Sequence, residues 1–328
     1  MRLFTIFFVS CLVTLISICP VRSQQEGSAP QFSPYFRVYT GDGKPVAMAD
    51  ISQAMAGVEV VFVGETHNDP MAHSLELAIL KRAHEAASSS PGDAGGRNAV
   101  LSMEMFERDT QPVLDEYLTD IISERHFLES SRPWTNYKND YRPLVEFARE
   151  QKLTVLAANA PKRYANLVSR QGRNALSTAL PRAAQWLPPV PYGFPSPAYK
   201  AKFEALFAQP EKPLPPSLSS KGFFQHGMGN LQYTLDAQSL WDATMAFSMA
   251  EELLRHPNSL IVHVVGKFHC EGRLGIPDHL LRYRPGTKFV VVTVEPADDI
   301  TTLSEKHKGL GDFVILTDSK LPRSYEDK

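Results

Sequence analysis

The sequence predicts an α/β fold in which helices flank a mostly parallel central sheet, with a largely helical insertion or subdomain. Short β-branched runs alternate with helical stretches along the chain, which is the pattern of right-handed βαβ units. Four of the predicted strands are almost continuously apolar, as strands covered on both faces of a parallel sheet are. These four strands are Val58–Val63, Ala99–Met103, Leu260–Val265 and Phe289–Val294.

Three further strands and four longer helices complete the predicted alternation. The strands are Phe36–Thr40, Leu153–Ala157 and Phe313–Thr317. The helices are Pro70–Ala87, Asp109–Ile122, Tyr141–Gln151 and Leu235–Arg255. Pro112 falls in the first turn of its helix, where proline is tolerated because that N–H has no partner within the helix. Hydrophobic residues make up 43% of the 328 residues, which is enough for a substantial core.

Residues 161–233 interrupt the alternation of strands and helices. This segment contains short helical patterns and two proline-rich joints, at residues 187–197 and 210–216. We interpret it as a mostly helical insertion over the sheet. The prediction is therefore a single domain at residues 35–320 that carries this insertion.

The first 23 residues are predicted to be a secretory signal peptide, and residues 24–34 a flexible lead-in. A basic start and an apolar run are followed by the small residues Val21 and Ser23, before the expected cleavage point. We therefore expect an exported protein, periplasmic or extracellular. An uncleaved anchor is the alternative, although the run is marginal for spanning a bilayer. A lipid anchor is disfavoured because the bulky Ile18 precedes Cys19.

The overall charge excludes one class of partner. A formal net charge of −2 gives no electrostatic case for binding nucleic acid, so no nucleic-acid partner is expected. Removal of the signal peptide would leave Cys270 as the remaining cysteine, and the mature chain would then have no internal disulfide.

Polar side chains follow four of the predicted strands at the point where each strand ends. Two of these strand ends are Gly-x-x-His turns, Gly64-Glu65-Thr66-His67 and Gly266-Lys267-Phe268-His269, and the other two carry Glu104 and Asn159. Ligands of open parallel sheets bind outside the carboxyl ends of the strands. A glycine directly after a strand lets the chain turn sharply and approach a ligand closely. We therefore expect these side chains to form one shared site.

The residue types at these strand ends are suited to acid–base or metal chemistry. Imidazole is a metal ligand and a general acid–base near neutral pH, and a neighbouring carboxylate orients it. The candidate catalytic residues are Glu65, His67, Glu104 and His269. Within this set, Glu65, His67 and His269 are the candidate metal ligands. The alternatives are that the histidines are surface residues, and that Glu104 forms a structural salt bridge, with Arg108 or Arg163 as partner.

Several neighbouring residues have two interpretations each. His73 faces either the site or solvent. The aromatic segment 132–143 either lines a flat hydrophobic ligand or caps the core. Asp242 either reaches the site or caps the long helix. Cys270 is expected to be a small buried residue, because no base that would activate its thiol is identifiable.

Taken together, these residues resemble the ChaN-like family of haem-binding uptake proteins, within the wider Tiki/TraB/erythromycin-esterase-like superfamily. The resemblance covers roughly residues 50–295, and it rests on the order and spacing of several motifs. These are Gly64-Glu65-Thr66-His67, Glu104, Tyr141-Arg142-Pro143, Asn159, the run 241–246 and Gly266-Lys267-Phe268-His269. The superfamily's site pattern maps onto Glu65, His67, Glu104 and His269.

The resemblance implies an exported protein that binds haem as a homodimer through a tyrosine ligand and serves iron uptake, with peripheral membrane association. The candidate cofactor-binding residues are Tyr137, Tyr141, His73 and Asn159, and Tyr137 and Tyr141 are the two candidate tyrosine ligands. Other branches of the superfamily are hydrolases, including metal-dependent proteases. The weak lipobox and the proline-rich insertion at 187–216 depart from the family's pattern. These two departures leave the membrane anchoring and the identity of the ligand open.

Three hypotheses about function follow. The first is an exported protein that binds haem or another iron cofactor. The second is a hydrolase in which Glu65, His67, Glu104 and His269 activate a water, directly or through a divalent metal. The third is a degenerate site on a scaffold domain. The polar residues favour the hydrolase chemically, whereas the family resemblance favours haem.

Overall fold

The computed structural model of the chain describes residues 33–88, 96–179, 181–208 and 230–325. The predicted signal peptide, most of the lead-in and the second proline-rich joint lie outside these residues. Among the described residues, no helix is both long and apolar enough to cross a membrane.

The described residues form one eight-stranded sheet, and it is mostly parallel, as predicted. The strands are β1 (Phe36–Thr40), β2 (Pro45–Val46), β3 (Val60–Glu65), β4 (Asn98–Glu107), β5 (Thr154–Asn159), β6 (Ser259–Gly266), β7 (Phe289–Ala297) and β8 (Phe313–Asp318). Their order across the sheet is β2-β1-β8-β7-β3-β6-β4-β5. The strands from β3 to β8 pair in parallel, whereas β1 pairs antiparallel with β2 and β8.

The helices connect and cover these strands. They are α1 (Met48–Met55), α2 (Pro70–Ser88), α3 (Gln111–Leu118), α4 (Glu124–Ser131), α5 (Arg142–Glu150), α6 (Lys162–Gln171), α7 (Leu176–Ala179), α8 (Pro197–Phe207), α9 (Leu231–Arg255) and α10 (Ile276–Tyr283). A π-helical turn, Tyr137–Tyr141, leads into α5. The predicted helix Asp109–Ile122 is shorter in the structure, because Asp120 adopts a left-handed conformation just after α3.

Two hydrophobic cores lie on opposite faces of the sheet. In β3, Val61 and Val63 pack against α1, α2 and α5, whereas Val60 and Phe62 pack against α6, α9 and α10. Successive side chains of a strand point to opposite faces, so burial on both faces explains the continuous apolar run of β3. The same alternation places the side chain of Glu65 on the face of α2.

The insertion is largely helical where it is described. Its described helices are α6, α7 and α8, and Ala165 and Val168 of α6 lie in the core beneath α9. The side chain of Ser196 caps α8 by accepting a hydrogen bond from the Tyr199 N–H at 3.3 Å. Tyr199 and Phe203 of α8 form a small cluster with Phe268, which follows β6. The insertion therefore contacts the end of β6 directly.

Candidate functional site

The carboxyl ends of β3, β6 and β4 lie side by side in the sheet. Glu65 is the last residue of β3 and lies opposite Gly266, the last residue of β6. A side chain at Gly64 would place its Cβ 2.7 Å from Cys270 Sγ and 2.9 Å from Lys267 Cα. Only glycine therefore lets the turn after β6 pack this closely against β3.

Glu65 and His67 form a buried ion pair on the α2 side of this edge. His67 Nδ1 lies 2.5 Å from Glu65 Oε1, and the Tyr141 hydroxyl donates a 3.1 Å hydrogen bond to the same oxygen. The ring of Trp134, which is half-buried, contacts the His67 ring edge-on at a centroid distance of 4.9 Å. Glu65 thus fixes the orientation of the imidazole, as carboxylates do for ligating or catalytic histidines.

Gly266 brings Glu104 and His67 to the same point. Its backbone N–H donates a 2.7 Å hydrogen bond to Glu104 Oε2. A Cβ at this position would lie 2.7 Å from His67 Cε1 and 3.5 Å from Glu104 Oε2. The register of β4 with β5 shifts between Met103 and Glu107, so Glu104 lies within an irregular strand rather than after its end.

His269 forms a second buried pair on the other side of Glu104. Its Nδ1 lies 2.5 Å from Asp242 Oδ1, and its Nε2 lies 3.6 Å from Glu104 Oε1. The amide nitrogen of Gln238 lies 3.2 Å from the same Nε2. Asp242 and Gln238 both come from α9, so the long helix supplies the partners of the histidine that follows β6.

The site is therefore two imidazole–carboxylate pairs that flank a central carboxylate. Glu65, His67, Glu104, Asp242 and His269 are all buried. The structure brings together Glu65, His67, Glu104 and His269, four of the side chains that the sequence predicted as one shared site. Asp242 reaches this site, which is the first of the two interpretations that the sequence left open for that residue.

Neighbouring charges shift the pKa values of the two histidines upward. Burial alone lowers the pKa of His67, but the charge and hydrogen bond of Glu65 outweigh it and raise the pKa to about 9. Burial raises the pKa of Glu65, yet His67 holds it below its usual value. Burial also lowers the pKa of His269, but the charges of Asp242 and Glu104 outweigh it and raise that pKa. At neutral pH the pair of Glu65 and His67 is therefore a carboxylate and an imidazolium.

The proposed arginine partners of Glu104 are engaged elsewhere. Arg108 pairs with Glu251 at 2.7 Å, and Arg163 pairs with Asp109 at 2.5 Å. Glu104 is stabilised instead by the Gly266 N–H and by His269. Its burial therefore belongs to the site and not to a salt bridge with either arginine.

The other candidate residues lie in different places. His73 is buried and faces the site, where its Nε2 lies 3.2 Å from the His67 carbonyl oxygen. Asn159 lies at the end of β5, and its side-chain oxygen accepts a local hydrogen bond from the Ala160 N–H. Cys270 is a buried thiol whose pKa is raised by burial, as expected of an inert residue.

Both candidate tyrosine ligands are inside the protein. Tyr137 is 2% exposed and packs against Phe106 and Phe127, and its hydroxyl has no hydrogen-bond partner among the described residues. Tyr141 is fully buried and its hydroxyl is used by Glu65. Ligation of haem iron through either phenol would require the turn Tyr137–Tyr141 to open.

Sequence reasoning missed several polar residues of this region. Gln238 lies one helical turn before Asp242 on α9, and that i, i+4 spacing was the available signal. Glu76 lies three residues after His73 on α2 and contacts it. Tyr199 comes from the insertion, and its buried hydroxyl lies close to Asp242, a proximity that no local pattern indicates.

The end of the described chain also covers the first Gly-x-x-His turn. The Ser324 N–H donates to the Asn68 carbonyl at 3.1 Å, and the Ser324 hydroxyl donates to Asp140 Oδ2 at 2.8 Å. Arg323 lies 3.7 Å from Asp69, the residue that caps α2. This segment holds the turn that carries His67 against the π-helical turn.

The two imidazole–carboxylate pairs can hold a proton or an electrophilic ligand beside Glu104. Two imidazoles with their Nδ1 atoms on carboxylates present their Nε2 edges toward Glu104 or toward a ligand. Buried polar atoms are usually satisfied, yet Glu65 Oε2, Asp242 Oδ2 and Gln238 Oε1 have no partner among the described residues. The site therefore has unused hydrogen-bond acceptor capacity.

Replacement of Gly266 tests the close packing at the centre of the site. We expect Gly266→Ala to lower the free energy of unfolding by about 1–3 kcal/mol, because the new Cβ displaces the His67 ring. Urea unfolding followed by circular dichroism measures this change. Gly57→Ala is the matched control, because a Cβ there has nothing within 4 Å. Equal stability of the two variants would contradict the close approach of His67 to Gly266.

Comparison with known proteins identifies the family of this chain. The model of the family described as "Haem-binding uptake, Tiki superfamily, ChaN" matches residues 51–280. No curated protein sequence matches the chain. Among solved structures, the fold is similar to that of ChaN of Campylobacter jejuni, whose structure is described as showing cofacial haem binding. The TM-score is 0.61 and the identity 17%, over 88% of this chain and 100% of that one.

Two more distant structures have TM-scores under 0.5. A mutant of erythromycin esterase EreC, in its open conformation, has 11% identity and a TM-score of 0.44, over 80% of this chain and 77% of that one. The type III effector HopBA1 has 10% identity and a TM-score of 0.42, over 82% of this chain and 91% of that one. Because the family model covers well over half of the 328 residues, the chain belongs to the ChaN-like haem-binding uptake family of the Tiki superfamily.

Proposed function

We propose that this chain binds haem at the edge of the sheet where β3, β6 and β4 end. The family match over residues 51–280 carries this proposal. Haem iron requires an axial donor that the protein orients, and an apolar surface for the macrocycle. When bound, haem would supply an iron centre, and a histidine or tyrosine side chain of this chain would hold it.

The donor set at the site is chemically suited to haem. Glu65 holds Nδ1 of His67, which directs Nε2 away from the carboxylate, the arrangement typical of ligating imidazoles. The half-buried Trp134 next to it supplies an aromatic wall. His67, which is buried like the two tyrosines, would therefore be our first candidate to hold the haem iron. Tyr137 and Tyr141 remain the predicted alternatives, and each depends on the opening of their turn.

Haem titration of single variants tests the axial ligand. We expect the wild-type chain to give a shifted Soret band at stoichiometric haem, and His67→Ala to abolish that shift. Glu65→Gln should weaken haem binding about 10–100-fold, because it removes the group that orients the imidazole. His126→Ala, whose side chain is 65% exposed, is the control.

Each outcome of the titration assigns the ligand. Loss of the shift in Tyr137→Phe or Tyr141→Phe, with the shift retained in His67→Ala, would assign the iron ligand to that tyrosine and not to His67. The absence of any Soret shift in the wild-type chain would overturn the proposal as a whole.

The pH dependence of haem affinity provides an independent test of His67. Iron binds the neutral imidazole, and the pKa of about 9 means that a proton occupies Nε2 at neutral pH. Haem affinity should therefore rise with pH by up to about tenfold per unit, and flatten above pH 9. Spectroscopic titration between pH 6 and 10 measures this slope. If His67→Ala retains the same slope, the titrating group is not His67.

Our proposal extends to export and iron uptake, which rest on the N-terminal segment and on the family. N-terminal sequencing of the protein recovered from its native host would test cleavage after residue 23. Gel filtration with and without haem would test the homodimer that the resemblance implies. Flotation with lipid vesicles would test peripheral membrane association.

A hydrolase is the second candidate function, and the central position of Glu104 favours it. Glu104 lies between an imidazole held by Glu65 and an imidazole held by Asp242, where a water could lose its proton to a carboxylate or imidazole. The pair of His269 and Asp242 has the geometry of a general base with its orienting group. Such groups act on a bound ester or amide without any redox step.

Hydrolysis of a generic ester and a generic peptide by the haem-free chain tests this second function. We expect Glu104→Gln and His269→Asn to lower kcat at least about 100-fold, since each removes a proton-transfer group. Glu65→Ala and His67→Ala extend the series to the first pair. His126→Ala should retain full activity. Undiminished hydrolysis in Glu104→Gln would remove the central carboxylate from the mechanism.

A further inference from the structure

A second cluster of donor atoms lies beside the site, on the inner face of α2. His73 and Glu76 are one turn apart on this helix, and both are buried against the end of β3. Together with Glu65 they offer one nitrogen and two carboxylate oxygens that all lie within 4.8 Å of one another. The cluster is distinct from the set of Glu65, His67 and His269, because His73 and Glu76 take the place of the two turn histidines.

The two carboxylates of this cluster are incompletely used. Glu65 Oε2 and Glu76 Oε1 have no hydrogen-bond partner among the described residues, although both side chains are fully buried. An unpartnered carboxylate oxygen inside a protein is costly, and buried charges are generally paired or coordinate metals. These two free oxygens are therefore the observation that points to a ligand.

The contacts already present in the cluster constrain what that ligand can be. Glu65 Oε1 is held by His67 and Tyr141, and Glu76 Oε2 lies 3.2 Å from His73 Nδ1. The atoms left over are two carboxyl oxygens next to an imidazole, which is the kind of donor set that binds a cation. Mixed oxygen and imidazole donors select a first-row transition ion over Mg²⁺ or Ca²⁺, which prefer oxygen alone.

We propose that Glu65, His73 and Glu76 form a binding site for one divalent transition-metal ion. Two carboxylates and a neutral imidazole balance the charge of such an ion, and three protein ligands leave a position free for water or substrate. Glu65 then serves two roles, because one oxygen orients His67 while the other binds the ion. This proposal is independent of haem binding and of hydrolysis.

The competing arrangement is an internal ion pair only. In that case the protonated His73 neutralises the carboxylates, and Asp140 adds a further contact at 3.6 Å from His73 Nε2. Both arrangements use the same side chains, and they differ in whether a metal ion is bound with fixed stoichiometry. The measurement must therefore count ions.

The first experiment measures metal content and thermal stability of the haem-free full chain. The protein is stripped with EDTA, loaded with Zn²⁺ or Mn²⁺, desalted and assayed by mass spectrometry for metals. We expect one ion per chain, and a Tm raised by roughly 5 °C at a hundredfold excess over Kd. Mg²⁺ and Ca²⁺ should neither remain bound nor shift the Tm.

Glutamine variants locate the ion. Glu76→Gln and His73→Gln should lose both the ion and the Tm shift, whereas His84→Gln, a half-buried histidine on the same helix, should keep both. His269→Gln should also keep the ion. Loss of the ion in His269→Gln with its retention in Glu76→Gln would place it on the turn histidines and overturn the proposal.

A spectroscopic experiment on the wild-type chain does not depend on whether any variant folds. Cu²⁺ binds such donor sets tightly, and its electron paramagnetic resonance reports coordinated imidazole nitrogens. The proposed site predicts coupling to one imidazole nitrogen in the wild-type chain. Coupling to two imidazoles, or the absence of a stoichiometric ion with every metal tested, would reject the site in favour of the other histidines or of the internal ion pair.

Failure of the metal proposal and failure of the haem proposal can be distinguished. Metal content is measured without haem, and the Soret shift is measured on EDTA-treated protein. A chain that binds haem but no metal contradicts only this inference. A chain that binds the metal but no haem contradicts only the proposed haem function.

Discussion

The hydrogen bond from the Gly266 N–H to Glu104 is the contact on which the arrangement of the site depends. It joins β6 to β4 just beyond their last paired residues, Val264 and Met103. On its other side, Gly266 is paired with Glu65 of β3. A single glycine therefore connects the three strands that carry the site, and its missing side chain is the space that His67 occupies.

The burial of so many charges imposes a strict pairing. Taking a charge out of water is costly, and a buried ion pair is tolerated only when its geometry and its additional hydrogen bonds are good. Each imidazole of the site accordingly has its own carboxylate, Glu65 for His67 and Asp242 for His269. Removal of one partner from such a pair costs about 3–5 kcal/mol, because the other charge is left unpaired. The site is thus both a reactive arrangement and part of the stability of the core.

The strands were predictable because their apolar runs are short and nearly continuous. The observed β3 is displaced by two residues from its prediction, since the sheet continues through Gly64 and Glu65. The helices α1, α4 and α10 were not predicted, because eight residues are too few to establish a helical period. Glu104 was expected after a strand but lies inside one, because an irregularity in β4 lengthens it.

The sequence alone determined which residue types follow the strands, and therefore that Glu65, His67, Glu104 and His269 share one edge. This followed from local patterns, since parallel strands necessarily bring their carboxyl ends together. Only the tertiary structure decided the partners of these residues. Asp242 comes from a helix 27 residues before His269, and Tyr141 from a turn 76 residues after Glu65. Such pairings depend on how helices pack over the two faces of the sheet, which no local spacing records. The same packing buried Tyr137 and Tyr141 in the core and left two carboxylate oxygens beside His73 without a hydrogen-bond partner among the described residues.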